Sequence, residues 1–420
     1  MSPRRWTSIL RGLSPWTWGL ADHLLWSMTS FALTLAAARS LGPSGLGMVT
    51  IGFTAALLAI GLQRSFMLDP FLAAPAAKLE QEKGGAAILT LSMLGGIGAS
   101  LLVAFLGLLL GGPMGAGLLA FAPSLVLILL QDALRTVVYR AGSIREAAIA
   151  RALWLGVFCL LFLAGFADSL EAIAGTWGLG AGLAAFLLAW QLRAYLAPIG
   201  AAVRFWRKEL GQVGGPVGIG GLLDSIAGQA EAYIAALTAG VGALGGVRAA
   251  TSVFAPLTFL RPAIGQVSSP RIACAMERGT NAALRLAIAI SGTLFVACLL
   301  YAGGAAVYGR LIAFVFGEAF YEYRNLLLPI TAYQVISALG TGVHVYLLAA
   351  GLGRVILVSS AVAVPLRLAA TAWLGARFGA AGLAWALVVA GSVLFAIHVW
   401  GVASDFRQRQ RIPDAQLDAR

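Results

Sequence analysis

Apolar runs of roughly 20 residues follow one another from about Trp16 to Trp400, separated by short polar breaks. Each run is long enough to cross ~30 Å of hydrocarbon as a helix. No water satisfies backbone N–H and C=O groups in that layer, so only helices and closed barrels are stable there. The runs are too long, and too poor in period-two alternation, for barrel strands. They predict an all-α polytopic membrane protein. Composition agrees: 60% of the 420 residues are hydrophobic and 11% charged, against about 25% charged in a soluble domain.

The runs place about twelve transmembrane helices. The first six lie near 16–38, 45–68, 85–109, 115–139, 147–166 and 170–192, and the second six near 214–239, 247–268, 282–306, 325–349, 353–375 and 379–402. Two internal matches suggest duplication. Gly42, Leu46, Gly47 and Val49 reappear as Gly240, Leu244, Gly245 and Val247. Gly175, Ala181, Gly182, Leu183, Ala184 and Leu187 reappear as Gly375, Ala381, Gly382, Leu383, Ala384 and Leu387, again about 200 residues on. The expected organisation is a six-helix lobe over 1–192, a polar linker over 193–213, a second pseudo-symmetric six-helix lobe over 214–402 and a tail over 403–420. Doubled bundles are common among secondary transporters, with the site between the repeats.

Placing both termini in the cytoplasm puts most Lys and Arg on that side, including Arg193, Arg204, Arg207 and Lys208. Only Arg39, Arg248, Arg310, Arg324 and Arg377 fall outside, which satisfies the positive-inside rule. The net charge of +12 then reflects topology and contact with anionic membrane lipids, and nucleic acid is not expected as a partner. The first apolar stretch is too long for a signal-peptide core and reads as an uncleaved span. Cys159, Cys274 and Cys298 are scattered in apolar sequence and read as core residues, with no metal or disulfide pattern.

The run Ala38-Arg39-Ser40-Leu41-Gly42-Pro43-Ser44-Gly45-Leu46-Gly47 resembles the loop after the first helix in O-antigen and exopolysaccharide flippases of the Wzx type. The stretch from Leu311 to Phe320 is similar to the segment before their tenth helix, and the two Ala-Gly-Leu-Ala runs fit their Gly/Ala-rich helices. This resemblance is to the multidrug/oligosaccharidyl-lipid/polysaccharide (MOP) superfamily, which also holds MATE drug exporters and lipid II flippases. It implies two lobes that alternate between inward- and outward-facing states in a bacterial inner membrane. The implied cargo is an undecaprenyl-diphosphate-linked oligosaccharide moved from the inner to the outer leaflet. Polysaccharide polymerase machinery is an implied partner, and no cofactor is implied. The segment Arg64-Ser65-Phe66-Met67-Leu68-Asp69-Pro70 is closer to the exopolysaccharide subgroup than to the O-antigen pattern.

Such cargo needs cations for its diphosphate. Intramembrane charges are costly and usually face a cavity or a partner, and the planar fork of arginine suits phosphate. Arg64 and Arg261, at matching places in the two halves, are the expected capture pair, with Arg39 and Arg248 as helpers at the outer ends. The plainer readings are that Arg64 and Arg261 snorkel or pair with Asp69 or a loop carboxylate, and that Arg39 and Arg248 anchor at the interface. Asp22, Asp224 and Glu231 are candidates for proton or sodium coupling, or else counter-ions to arginines across the lobe interface. Asp132 and Arg135 are expected to pair with each other. His23 and His344 read as single hydrogen-bonding histidines, Pro123, Pro256, Pro262 and Pro365 as kinks, and most of the eleven tryptophans as interface anchors. A drug exporter of cationic substrates fits poorly with so many buried arginines. An enzyme, such as a polysaccharide polymerase or ligase, lacks a loop with paired acidic or histidine residues.

Overall fold

A computed structural model describes residues 15–73, 81–210, 225–226, 228–307 and 310–411, all of them in helices or short connections. Contacts divide the chain into two compact units, Met1–Tyr233 and Ile234–Arg420.

The first unit opens with α1 (Pro15–Gln63), bent at Gly42, where φ is 67° and ψ −166°. A π-helical turn over Arg64–Leu68 and the short α2 (Asp69–Ala73) prolong it. The apolar segment Thr17–Leu72 has 56 residues, roughly 84 Å if straight, so it covers two crossings and must break between them. Only glycine adopts the Gly42 conformation without steric cost. Then come α3 (Gln81–Leu110), α4 (Gly112–Phe121), α5 (Ser124–Arg140), α6 (Ile144–Leu163) and α7 (Leu170–Leu192). The α4–α5 pair bends by 47° at Ala122-Pro123. The stretch expected as a linker folds into α8 (Ile199–Phe205) and a π turn over Trp206–Leu210. It packs on the first unit: Trp206 Nε1 donates to the Phe66 carbonyl at 2.9 Å, and Thr90 Oγ1 to that of Ala197 at 2.9 Å.

Helix α9 (228–239) leads into the second unit. It is followed by α10 (Val241–Val253), α11 (Ala255–Glu277), α12 (Thr280–Val307) and α13 (Leu311–Phe316). A 3-10 turn over Glu318–Leu326 leads to α14 (Leu327–Ala349) and α15 (Gly353–Arg411). Helix α15 bends at Gly379, with φ 56° and ψ −135°, so it too supplies two crossings.

The polarity of the bundle fits lipid. Leu101, Phe105, Leu108, Leu109 and Leu163 are exposed, while Ala36, Ala37, Thr29 and Thr34 are buried. Lipid tails are as apolar as leucine, so helix association rests on close packing rather than on the hydrophobic effect. Gly178 and Gly182 of α7 provide it, since a Cβ on either would press on Ser124 or Leu127 of α5. Buried threonine hydroxyls donate back along the helix, Thr29 to the Leu25 carbonyl at 2.8 Å and Thr50 to that of Leu46 at 2.7 Å.

Several expectations change here. The first internal match has a structural basis: Gly240 (φ 89°, ψ 158°) sits just before α10 as Gly42 sits inside α1. The second does not. Ala181 to Ala184 lie in the interior of α7, whereas Ala381 to Ala384 directly follow the Gly379 bend. Helix eight is also broken, at Phe254, into α10 and α11. Pro123 marks a bend and Pro256 begins α11, but Pro365 leaves α15 helical. Cys298 is buried as expected, yet Cys274 is exposed.

Candidate functional site

Helix α5 places Gln131, Asp132, Arg135 and Tyr139 at helical spacing, so they rise along nearly one face. That face meets Asp22 and Trp26 from the first arm of α1, Arg64 from the π turn after its second arm, and Arg151 and Trp154 from α6. Asp132 is the hub. It accepts from Arg64 Nε at 2.8 Å and Nη2 at 2.7 Å in a bidentate pair, and from Arg135 Nε at 3.2 Å and Nη2 at 3.1 Å. Arg135 Nη1 reaches Asp22 Oδ2 at 2.8 Å, where the Tyr139 hydroxyl also donates at 2.9 Å. Arg151 lies 3.4 Å from Asp22 Oδ1 and 3.9 Å from Asp132 Oδ1, with its guanidinium 4.4 Å from the Trp26 ring centroid.

All of these but Tyr139 line a cavity of about 190 Å³ together with His23, Leu57 and Ile60. Three arginines face two aspartates, so the cluster carries one surplus positive charge. Burying ions is costly unless every partner is present, and most are. Only Arg64, with 36% of its side chain exposed, opens toward solvent; the Asp132 side chain is 4% exposed. Below the charges lies an aromatic core: Trp154 and Trp177 are fully buried with ring centroids 5.1 Å apart, and Trp26, Phe53 and Phe121 close around them. Trp154 and Trp177 are core residues, not interface anchors.

The second unit has a cavity of about 380 Å³ between α11, α14 and α15. Arg261, Thr258, Tyr333, Ser337, His344 and His398 line it. No ion pair to Arg261 occurs among the described residues. His344 is not single: its ring lies 5.4 Å from that of His398, whose Nε2 is 2.9 Å from the Ser359 hydroxyl.

The structure therefore gives Arg64 a partner in Asp132, not in Asp69, and the expected Asp132–Arg135 pair forms with Asp132 shared. Asp22 sits among arginines of its own unit, which is the geometry of a counter-ion. Arg39 lies just before the Gly42 bend and is exposed, Arg248 lies in α10, and Glu231 lies in α9; each of the three makes further contacts. Asp224 lies outside the described residues. Arg151, Gln131, Trp26 and His398 were not expected at a site. The Arg151/Trp154 spacing of three residues, past the charged first turn of α6, was the available signal for the first unit.

Solved structures share this architecture. One is an inward-facing MATE family multidrug resistance transporter of the MOP superfamily, with TM-score 0.70 and 15% identity over 90% of this chain and 94% of that one. Another is the lipid II flippase MurJ in an inward closed conformation, with TM-score 0.71 and 12% identity over 92% and 87%. A third is a MOP superfamily transporter from Pyrococcus furiosus, with TM-score 0.58 and 16% identity over 92% and 93%. The fold is that of MOP superfamily transporters. No protein-family model and no curated protein sequence matches the chain.

Proposed function

We propose that the protein is a flippase that moves an undecaprenyl-diphosphate-linked oligosaccharide from the inner to the outer leaflet for surface polysaccharide export, by alternating access. On this reading it sits in a bacterial inner membrane with both termini cytoplasmic, and residues 1–192 and 214–402 are its lobes, joined by 193–213. What supports it is an arginine at each cavity, Arg64 in the first unit and Arg261 in the second. Inside a MOP-type bundle, arginines lining a cavity favour anionic cargo and repel a cationic drug. On this reading Arg64, with 36% of its side chain exposed, and Arg261, without an ion-pair partner among the described residues, meet the diphosphate. Flipping of lipid II and drug export are the second readings, supported alike by the fold shared with MurJ, TM-score 0.71, and with a MATE transporter, TM-score 0.70.

The test is a deletion strain examined for surface polysaccharide and for lipid-linked oligosaccharide, with leaflet read by access of an external glycosidase. Complete lipid-linked units trapped on the cytoplasmic side are expected. Arg64→Ala combined with Arg261→Ala should reproduce that trapping in protein that still inserts. Complete units already outside, or full activity of the double variant, would overturn the proposal. Trapped peptidoglycan precursor instead would favour lipid II flipping.

A further inference from the structure

The surplus charge of the first unit can be located. Arg135 donates through Nε, Nη1 and Nη2, and Arg64 through Nε and Nη2. Among the described residues, nothing accepts a hydrogen bond from the buried Nε and Nη1 of Arg151, whose side chain is 4% exposed. Its nearest carboxylate oxygens, at 3.4 and 3.9 Å, attract it without accepting from it. The Trp26 ring under it, 4.4 Å away, stabilises the charge through its face but provides no acceptor for N–H groups in the guanidinium plane. Gln131 lines the same cavity, is 1% exposed, and has an Nε2 donor with no partner among the described residues. Two buried donors from neighbouring helices, one of them charged, thus share one cavity whose fixed charges sum to +1.

We propose that this cavity binds one small monovalent inorganic anion, chloride, between Arg151 and Gln131. A single negative charge cancels the surplus, whereas a dianion would leave the opposite imbalance beside Asp22 and Asp132. A cavity of about 190 Å³ accommodates an ion with a volume near the ~30 Å³ of a liquid water, plus water for Asp22 Oδ1, which also lacks a hydrogen bond. The diphosphate of a large lipid-linked substrate does not reach this point, because both donors are enclosed. The anion is therefore a resident of the unit, and its binding is independent of which cargo the protein carries.

The experiment uses the full-length protein in detergent at constant ionic strength. Thermal unfolding midpoints are compared in chloride, bromide, inorganic phosphate and gluconate, alongside retention of radioactive chloride. Wild type should be raised by chloride and bromide over gluconate, and should retain about one chloride per chain, as linkage requires of a ligand bound only to the folded state. Gln131→Leu should weaken chloride at least tenfold, and Arg151→Gln should abolish the response. Arg261→Gln, in the other unit, should leave it unchanged. If Arg151→Gln does not fold, Gln131→Leu alone decides. Equal midpoints in chloride and gluconate, an undiminished response in Gln131→Leu, or a response to phosphate alone would overturn the proposal. None of these readouts needs transport, so the flippase reading and the anion site can fail separately.

Discussion

The two units solve the same problem, a polar group inside a membrane bundle, in opposite ways. The first gathers five charges from α1, the π turn after it, α5 and α6 so tightly that Asp132 alone accepts four hydrogen bonds at 3.2 Å or less. The second leaves Arg261 in a cavity twice as large, beside two histidines and several hydroxyls, with no ion pair among the described residues. The helix breaks at Gly42 and Gly240 are shared; the chemistry is not. Two units can share a backbone break while the polar residues they carry differ, forming a dense ion network in one and a roomier pocket in the other.

The largest effect should come from attacking the hub. Asp132→Ala removes the common acceptor of Arg64 and Arg135 and strips Arg151 of one of its two nearby carboxylates. Losing one partner of a buried ion network typically costs about 3–5 kcal/mol. We expect poor insertion or a strongly lowered unfolding midpoint in detergent. Near-wild-type stability would mean that the network is not the structural half of the comparison.

Next are the shared breaks. A Cβ on Gly42 or Gly240 meets no atom within 4 Å, so alanine there tests backbone conformation alone. Each position lies in a region populated almost only by glycine, and each substitution should destabilise by about 1–3 kcal/mol. Similar losses for Gly42→Ala and Gly240→Ala in thermal unfolding would support scaffold equivalence. A loss at one position only would break it.

The legibility of the sequence follows the same division. Apolar length and scarce charge were enough to read an all-helical membrane bundle, because the solvent permits few alternatives. The Gly42/Gly240 match was readable since both glycines serve one backbone need. The Ala-Gly-Leu-Ala match was not a true correspondence: small residues recur wherever helices pack closely, and the two runs lie in different parts of their helices. Asp22 and Arg64 stood out as intramembrane charges, but their partners did not. Arg64 meets Asp132 across 68 positions and Arg135 meets Asp22 across 113, distances that local spacing cannot bridge. Arg151 escaped notice because the carboxylates beside it, Asp22 and Asp132, come from other helices. The buried tryptophans were hidden by a composition rule, that membrane tryptophans sit at interfaces, which the core of the first unit overrides.

Arg261→Ala should be nearly silent for stability, about 1 kcal/mol or less, because no ion-pair partner among the described residues is orphaned. Its effect should appear in transport instead. This sharpens the contrast with Asp132→Ala, whose loss of function comes with loss of fold. The pair of measurements is an unfolding midpoint and a leaflet assay on each variant. A large drop in the midpoint of Arg261→Ala would make the second cavity structural as well.

The smallest effect tests the scaffold without touching either site. Gly156 of α6 and Gly292 of α12 are helical, and a Cβ on either meets nothing within 4 Å. Alanine there removes backbone freedom from the unfolded chain without adding a clash, which favours the helix by roughly 0.5–1 kcal/mol. Both variants should gain a degree or more in unfolding midpoint and keep full transport. Equal gains would confirm that the units respond alike wherever only helix formation is at stake, so that their different responses at Asp132 and Arg261 belong to the sites. A loss at Gly156 alone would mean that α6 needs freedom next to Arg151 and Trp154, and that the rigid unit is less rigid than its ion network implies.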